Sequence, residues 1–283
     1  MALPSNTKPF ISSVVAAHNE EIHLSKCIDS LLNQTYQSHE IIIVENGNSS
    51  DKTFAIAKSY ASRYPHKIRA FSLKGKQRGP GNAWNFGTRV AKGSLIHIVG
   101  ADLRYSKKYL AKGASFLMKS KEYGLVHSVE VCDNASNWWA RAFFLKRNSE
   151  YKPGRSRVFS LIKRKFLLKR PFNSGLGYAD DQTIFLTKGI DFPTFSLTVT
   201  HTNPASFQDT WGHSRWVGRS ITYPQLIIFI FPLFPLYAIY KTLKHLSVDF
   251  FLPFLFFLPF YYSIRYFAYF YESVKKIIFG KKI

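Results

Sequence analysis

One stretch of the chain predicts both a sheet and a binding site: Ser94-Leu95-Ile96-His97-Ile98-Val99-Gly100-Ala101-Asp102-Leu103-Arg104. The apolar run 94–99 has the length and composition of a buried strand. It leads into one carboxylate, that of Asp102, and a cation follows two residues later at Arg104. Because ligands of open α/β sheets bind outside the carboxyl ends of the strands, we expect Asp102 to face a ligand.

Apolar runs and amphipathic segments alternate around this strand. Further short apolar runs predict strands at 11–17, 40–45 and 68–73. Apolar residues at helical spacing predict helices at about 20–34, 51–64, 81–91 and 106–119. Apolar strands separated by helices are typical of a parallel sheet that is covered on both faces. We therefore predict an α/β fold with a doubly wound, mostly parallel sheet.

The composition changes after about residue 220. Residues 221–240 are nearly free of charge, and the apolar run 248–264 is interrupted only by Asp249. Since about 20 apolar residues cross a bilayer, we expect a hydrophobic helical hairpin with spans at about 221–240 and 248–270. A re-entrant hairpin and two helices lying in the membrane interface are the alternatives.

Basic residues around the apolar segments indicate their orientation. Two arginines precede the first segment and four lysines follow the second, whereas two lysines lie between them. This excess on the outer flanks favours both ends facing the cytoplasm. The first nine residues also lack the apolar core of a signal peptide. We therefore expect a cytoplasmic domain at 1–220 and membrane segments with a basic tail at 221–283.

The formal charge of +22 predicts anionic partners such as phosphates, nucleic acid or an acidic membrane. Residues 141–170 interleave basic and bulky apolar side chains, which favours an interfacial amphipathic helix bound to headgroups or to a lipid phosphate. No nucleic-acid-binding motif accompanies the charge, so we expect no nucleic acid partner. Cys27 and Cys132 form no C-x-x-C pair and are expected to be reduced, buried and structural.

Acids and amides follow the other predicted strands. The first strand ends in Ala16-Ala17-His18-Asn19-Glu20-Glu21, and the second leads into Glu45-Asn46-Gly47-Asn48-Ser49-Ser50-Asp51-Lys52-Thr53. Glu20 or Asp51 taken alone is explained by helix capping or by the helix dipole. Together these groups line one edge of the sheet and are suited to hold a base and a ribose.

In this order, the motifs resemble those of the family-2 inverting glycosyltransferases of the GT-A fold. The resemblance extends over roughly residues 10–219 and includes Ala16 to Glu21, Val44 to Thr53, Ala83-x-Asn85-x-Gly87 with Ala91-x-Gly93, Gly100-Ala101-Asp102, and Ala179-Asp180-Asp181. It implies transfer of a sugar from a nucleotide-diphosphate donor with inversion at the anomeric carbon.

The resemblance also implies residue roles. Donor-binding roles fall on Ala16, His18, Asn19, Glu20, Glu45, Asn46, Asn85, Ala101, Asp102 and Arg104. Asp102 would reach the diphosphate through Mg²⁺ or Mn²⁺, and Asp181, next to Asp180, would be the general base. The acceptor side would include His201, Trp211, Arg215 and Trp216. Gly212 replaces the glutamine of the Q-x-x-R-W pattern of processive members, which disfavours polymer synthesis.

Gly100 departs from the family pattern, which has an acid at this position. Three explanations stay open: Asp102 holds a cation together with the diphosphate and water; Arg104, Lys76 and Arg78 supply the positive charge instead; or the site is degenerate.

The acceptor stays open as well. Because a hydroxyl acceptor needs a base, the acidic pair Asp180-Asp181 favours a lipid-linked saccharide or other glycan hydroxyl. The basic stretch 141–170 favours a polyprenyl phosphate. Two functions from different classes follow: a membrane-associated glycosyltransferase, or an inactive scaffold subunit that binds a nucleotide or lipid.

Overall fold

The computed structural model describes residues 8–47, 49–75, 79–150, 159–174, 192–246 and 252–279. The chain forms two compact units, of which the first comprises Met1–Val131 and Pro153–His201, and the second comprises Cys132–Lys152 and Thr202–Ile283. The predicted catalytic acids Asp180 and Asp181 lie outside the described residues, as do Lys76 and Arg78.

The described strands form an eight-stranded sheet in the order β3-β2-β1-β4-β7-β6-β8-β5. They are β1 (Ile11–Ala17), β2 (His39–Glu45), β3 (Ile68–Ser72), β4 (Leu95–Gly100), β5 (Leu103–Tyr105), β6 (Gly124–Cys132), β7 (Phe159–Lys163) and β8 (Thr194–His201). The four strands β3, β2, β1 and β4 are parallel neighbours. The pairs β4 with β7, β6 with β7 and β5 with β8 are antiparallel.

Helices cover both faces of the parallel part of this sheet. They are α1 (Leu24–Leu32), α2 (Thr53–Arg63), α3 (Gly81–Val90), α4 (Tyr109–Lys119) and α6 (Arg164–Lys169). Alternate residues of β2 enter different apolar clusters: Ile41 and Ile43 lie in the cluster that includes α1, α2 and α4, whereas Ile42 lies in the cluster that includes α3 and α6. This alternation is the period of two expected for a strand that is buried on both faces, and it confirms the predicted doubly wound α/β fold.

The structure corrects one prediction for the basic stretch 141–170. Phe159–Lys163 forms β7, which lies between β4 and β6 in the sheet. Leu161 and Ile162 are fully buried there, one in each apolar cluster. This part of the stretch is therefore sheet interior and not an amphipathic helix on a membrane surface. The alternation of apolar and basic residues over so few positions did not distinguish the two structures.

The second unit is helical. It contains α5 (Trp138–Glu150), α7 (Phe207–Arg219), α8 (Pro224–Ile230), α9 (Phe234–Leu246) and α10 (Leu252–Phe279), with a 3-10 turn at Phe231–Leu233. Phe143 of α5, Phe234 of α9 and Tyr261 of α10 share an apolar cluster. Because α7 packs against α10, this unit also includes residues before 220 that the sequence analysis assigned to the first domain.

In the described part of the chain, one helical segment is long and apolar enough to cross a membrane. It is Pro224–Lys244, with a mean hydropathy of 1.8. The second predicted span falls on α10, where Phe257, Leu258 and Tyr261 are buried within the helical unit. Two spans are therefore not confirmed. Both cysteines are free thiols, as predicted; Cys27 is buried, but Cys132 is only half-buried, contrary to the prediction.

Gly93, which follows α3, lies close to the backbone at the start of β1. A Cβ at Gly93 would lie 2.6 Å from the backbone nitrogen of Ser12 and 2.7 Å from the carbonyl oxygen of Phe10. Backbone of a central strand cannot move aside, so we expect Gly93→Ala to destabilise the protein by about 1–3 kcal/mol. The thermal unfolding midpoint should fall by several degrees.

Gly212→Ala is the matched control, because it lies within α7 and a Cβ there meets no described atom within 4 Å. Alanine favours a helix by roughly 0.5–1 kcal/mol over glycine, so its midpoint should stay equal or rise. Equal midpoints for Gly93→Ala and the wild type would contradict this packing.

Candidate functional site

The parallel register brings three strand ends to one edge of the sheet. Ala16 of β1 pairs with Gly100 of β4, and Ala17 pairs with Glu45 of β2. The residues that follow these strands therefore emerge side by side, as the sequence predicted. They include His18, Asn19, Glu20, Asn46 and Asp102.

The loop after β1 is tied to the loop after β2 by hydrogen bonds. Asn19 has a φ of 56°, and its side-chain oxygen accepts a bond of 2.8 Å from the backbone N–H of Ser50. The backbone N–H of Glu20 donates to the Thr53 hydroxyl over 2.7 Å. Asp51 accepts bonds from the N–H groups of Glu21 and Thr53. Asn19 and Asp51 thus fix the loops, whereas the Glu20 side chain is left to face the site.

Glu45 braces the end of β2. Its carboxylate accepts two hydrogen bonds of 2.8 Å from Ser49 and one of 2.6 Å from the Ser72 hydroxyl. Burial alone raises the pKa of Glu45, but these hydrogen bonds stabilise the anion more strongly, and the pKa lies below its ordinary value. Glu45 is therefore a charged group that orders the loop after β2.

Asn46 offers an acceptor at the same edge. Its side-chain nitrogen donates to the carbonyl oxygen of Gly79. Its side-chain oxygen is buried and receives no hydrogen bond from any described group of the protein. A buried acceptor of this kind is costly unless a ligand or water satisfies it.

The central feature of the site is a histidine between two carboxylates. β5 and β8 pair so that Leu103 lies opposite His201, which brings the imidazole next to Asp102. His201 Nε2 lies 2.8 Å from Asp102 Oδ2, and His201 Nδ1 lies 2.7 Å from Glu130 Oε1. The sequence analysis assigned His201 to the acceptor side, but the structure brings it to the predicted donor-side acid.

Glu130 was not predicted at all. It lies on β6, in the run Leu125-Val126-His127-Ser128-Val129-Glu130-Val131, where its sequence signal is an acid within a largely apolar strand. An acid in such a strand suggests a paired charge, but the sequence does not reveal the partner. The pairing with His201 depends on how the later strands are ordered in the sheet.

Burial and the neighbouring acids raise the pKa of Glu20. Burial is the largest cause, the negative charges of Asp102 and Asp51 add to it, and His201 opposes it, which together raise the pKa of Glu20 to about 8. Below about pH 8, Glu20 therefore mostly keeps its proton and adds no full negative charge to the site.

Asp102 and His201 fit a divalent cation by their chemistry, because they offer one carboxylate oxygen and one imidazole nitrogen side by side. Within the described residues, no group of three or more histidine, cysteine, aspartate or glutamate side chains is arranged to hold a metal ion. A cation here would therefore take further oxygen ligands from a bound molecule or from water.

The other predicted donor residues vary in their surroundings. Asn85 exchanges two hydrogen bonds with the backbone of Phe172, at 2.8 and 2.9 Å. Ala101 is buried in an apolar cluster, and Ala16 packs on the edge of the other one. Arg104 lies on β5, opposite Thr200, and is half-buried.

The remaining predicted acceptor-side residues lie on α7 of the second unit: Trp211, Arg215 and Trp216. The guanidinium of Arg215 pairs with the buried carboxylate of Glu272 over 2.6 Å and lies 4.8 Å from the centre of the Tyr271 ring. Arg215 thus joins α7 to α10, whatever else it contacts.

The raised pKa of Glu20 predicts that the stability of the fold depends on pH. Between its ordinary pKa of 4.5 and about 8, Glu20 binds a proton in the folded protein but not in the unfolded chain. Folding therefore becomes less favourable as the pH rises through this range. In chelator and without nucleotide, Glu20→Gln should raise the unfolding midpoint by a few degrees at pH 8 and by less at pH 5.

Glu21→Gln is the control for that experiment, because Glu21 is exposed and binds the backbone N–H of Lys52. A Glu20→Gln gain of equal size at both pH values would contradict the raised pKa.

Sequence comparisons place these features among glycosyltransferases. The chain is 27% identical over 113 residues to glycosyltransferase AglE of Haloferax volcanii, which covers 39% of this chain and 36% of that protein. It is 29% identical over 121 residues to the putative glycosyltransferase EpsE of Bacillus subtilis, with 43% of each chain covered. The matches thus span less than half the length of these relatives.

Structure comparisons agree on the GT-A fold. The mannosyltransferase PcManGT from Pyrobaculum calidifontis, solved with GDP-Man and Mn²⁺, has a TM-score of 0.57 at 15% identity, over 99% of this chain and 90% of its own. S. aureus TarS 1-349, solved with UDP, has a TM-score of 0.52 at 15% identity, over 96% and 92%. Residues 12–186 match the family described as "Glycosyl transferase family 2". Since this match spans more than half of the sequence, the chain belongs to glycosyl transferase family 2.

Proposed function

We propose that this chain is an inverting glycosyltransferase that moves a sugar from a nucleotide-diphosphate donor to a hydroxyl group of a lipid-linked or glycan acceptor. The observation that carries the proposal is the pairing of Asp102 with His201 at the carboxyl end of the parallel strands, beside the half-buried acid Glu20. Family membership supports sugar transfer, and the site supports an anionic donor that is bound together with a cation.

A divalent cation would be held by Asp102 and His201. When bound, Mg²⁺ or Mn²⁺ neutralises the charge that develops on the leaving diphosphate. The Mn²⁺ and GDP-Man in the complex of the mannosyltransferase PcManGT support the same pairing of cation and nucleotide here.

The nucleoside would bind where the ends of β1 and β2 meet. The buried, unsatisfied oxygen of Asn46 is suited to accept a hydrogen bond from a base N–H or a ribose hydroxyl. Three hydrogen bonds tie the Glu45 carboxylate to Ser49 and Ser72 beside it. Preorganisation of this kind lowers the entropy cost of binding.

The base for the acceptor hydroxyl is assigned to Asp181 through the family resemblance, with Asp180 beside it. A carboxylate within hydrogen-bond reach of the attacking hydroxyl takes its proton, which makes the oxygen a better nucleophile.

A donor panel tests the function. Membranes containing the chain are incubated with radiolabelled UDP- and GDP-sugars, with and without chelator. We expect one donor to be consumed, and we expect chelator or Asp102→Asn to reduce transfer at least about 100-fold, since one electrostatic contact to the leaving group is worth that much. Asp29→Asn, an exposed acid on α1, should leave the rate unchanged.

Asp181→Asn distinguishes the acceptors. With a hydroxyl acceptor its transfer rate should fall about 100-fold or more, because the amide cannot take the proton. A polyprenyl phosphate acceptor is already anionic, so retained transfer in this variant would replace the hydroxyl acceptor by a phosphate. If no donor is consumed by the wild type, the scaffold alternative is correct instead.

We further infer that the helical unit contacts a membrane, with the first unit on the cytoplasmic side. Besides its apolar core, this unit exposes large apolar side chains and buries two charged ones. Phe229 and Leu236 are 81% and 68% exposed, whereas Lys146 and Glu272 are 3% and 1% exposed. Exposed apolar patches of this extent mark interaction surfaces, and the net charge of +22 suits an anionic lipid surface.

Vesicle flotation tests this contact. The full chain should float with vesicles that contain anionic lipid, and the triple variant Phe229→Glu, Leu236→Glu, Leu243→Glu should remain in the dense fraction. All three side chains are more than half exposed, so the fold should survive. Tyr64→Glu, an exposed aromatic of the first unit, serves as the control. Flotation of the triple variant to the wild-type extent would exclude this surface as the contact.

A further inference from the structure

We propose that Glu130 is the positioning residue of the cation site and that Gly100 is required for its action. Glu130 orients the His201 imidazole towards Asp102. Gly100 has no side chain, which leaves room for the Asp102 carboxylate to contact the imidazole. The inference rests on the proposed function, since it assigns how the donor-side cation is held.

Three neighbouring strands build the arrangement. Glu130 lies on β6, His201 ends β8, and Asp102 directly precedes β5, and these strands are consecutive in the sheet. Both imidazole nitrogens meet carboxylate oxygens, at 2.7 Å for Glu130 and 2.8 Å for Asp102. The His201 and Glu130 side chains are 14% and 16% exposed, whereas Asp102 is 38% exposed. Asp102 is thus the accessible end of a chain of polar groups that begins inside the protein.

The Glu130 contact decides which nitrogen faces the ligand. Ionised carboxylates only accept hydrogen bonds, so Nδ1 donates to Glu130 and, while no cation is bound, Nε2 donates to Asp102. The Glu130 contact fixes the orientation of the ring, and Nε2, which faces Asp102, would have to release its proton to bind a cation. In metal sites, a carboxylate behind a histidine has this role, and its loss typically lowers metal affinity 10–100-fold.

Gly100 provides the space. A Cβ at Gly100 would lie 2.7 Å from Asp102 Oδ1, because the carboxylate turns back over residue 100. Gly100 does not have a positive φ, so its backbone does not demand glycine. A side chain at residue 100 would instead meet the Asp102 carboxylate. Its Oδ1 would have to shift, and this shift would move the carboxylate whose Oδ2 contacts His201.

The two observations together explain the departure from the family pattern. An acid at residue 100 would add charge but would push Asp102 away from the imidazole. Glu130 supplies a second acid from the other side of His201, where it does not collide with Asp102. Gly100 is therefore part of a differently built site and not a sign of its decay.

The first test measures Mn²⁺ binding without any sugar transfer. Free Mn²⁺ is followed by electron paramagnetic resonance, with purified full-length protein and saturating UDP or GDP. Glu130→Gln should weaken Mn²⁺ binding about 10–100-fold, and Glu122→Gln, an acid just before β6, should leave it unchanged. An unchanged affinity in Glu130→Gln would overturn the proposal.

A second readout separates positioning from general loss of structure. In ¹⁵N-histidine-labelled protein, the His201 ring nitrogens are assigned by their loss in His201→Gln. Glu130→Gln should shift the Nδ1 signal, while the other histidines and the unfolding midpoint stay as in the wild type. Glu130→Asp retains the charge and should show a smaller loss of Mn²⁺ affinity. An unchanged His201 signal in Glu130→Gln would overturn the assignment, even if the chain consumed no donor sugar.

Gly100→Asp gives the sharpest contrast, since it introduces the acid that the family pattern has. We expect it to weaken Mn²⁺ binding as much as Gly100→Ala does, because both add a Cβ beside Asp102. Tighter binding in Gly100→Asp than in the wild type would show that the acid was simply missing, and would overturn the role given to Gly100.

Discussion

The contact between His201 and Asp102 connects the parallel part of the sheet with its antiparallel extension. Asp102 follows β4, whereas His201 ends β8, and these residues are brought together by the antiparallel pairing of β5 with β8. The charge of Asp102 helps burial to raise the pKa of Glu20, its carboxylate lies where a side chain at Gly100 would be, and the imidazole that it contacts is held on its other side by Glu130. The chemistry proposed for the site depends on this one contact.

Local sequence patterns predicted the parallel half of the sheet well. The strands β1 to β4 and the helices α1 to α4 lie where apolar periodicity predicted them. Each of these elements buries a regular face, and a regular buried face produces a periodic pattern of apolar residues in the sequence. The strand-end acids followed from the same pattern, since parallel strands must end at one edge. Asn19, Glu20, Asn46 and Asp102 do lie at that edge.

The antiparallel extension was not predictable in the same way. Ninety-nine positions separate Asp102 from His201 in the sequence, and no local pattern reports their contact. The strand β7 is short and lies in the basic stretch 141–170, whose composition suggested a surface helix, yet pairing on both sides buries it. The partner of Glu130 was hidden for the same reason. Long-range strand pairing, and not local propensity, determines the structure and the contacts of these residues.

The central claim is that Asp102 binds a nucleoside diphosphate through a divalent cation at the end of β4. Isothermal titration of the full-length protein with UDP and with GDP, each with Mn²⁺ and with chelator, tests it directly. The account predicts that one of the two nucleotides binds in Mn²⁺, that chelator abolishes this binding, and that Asp102→Asn does the same without a change in the unfolding midpoint. Equal nucleotide affinity in the wild type and in Asp102→Asn would contradict it.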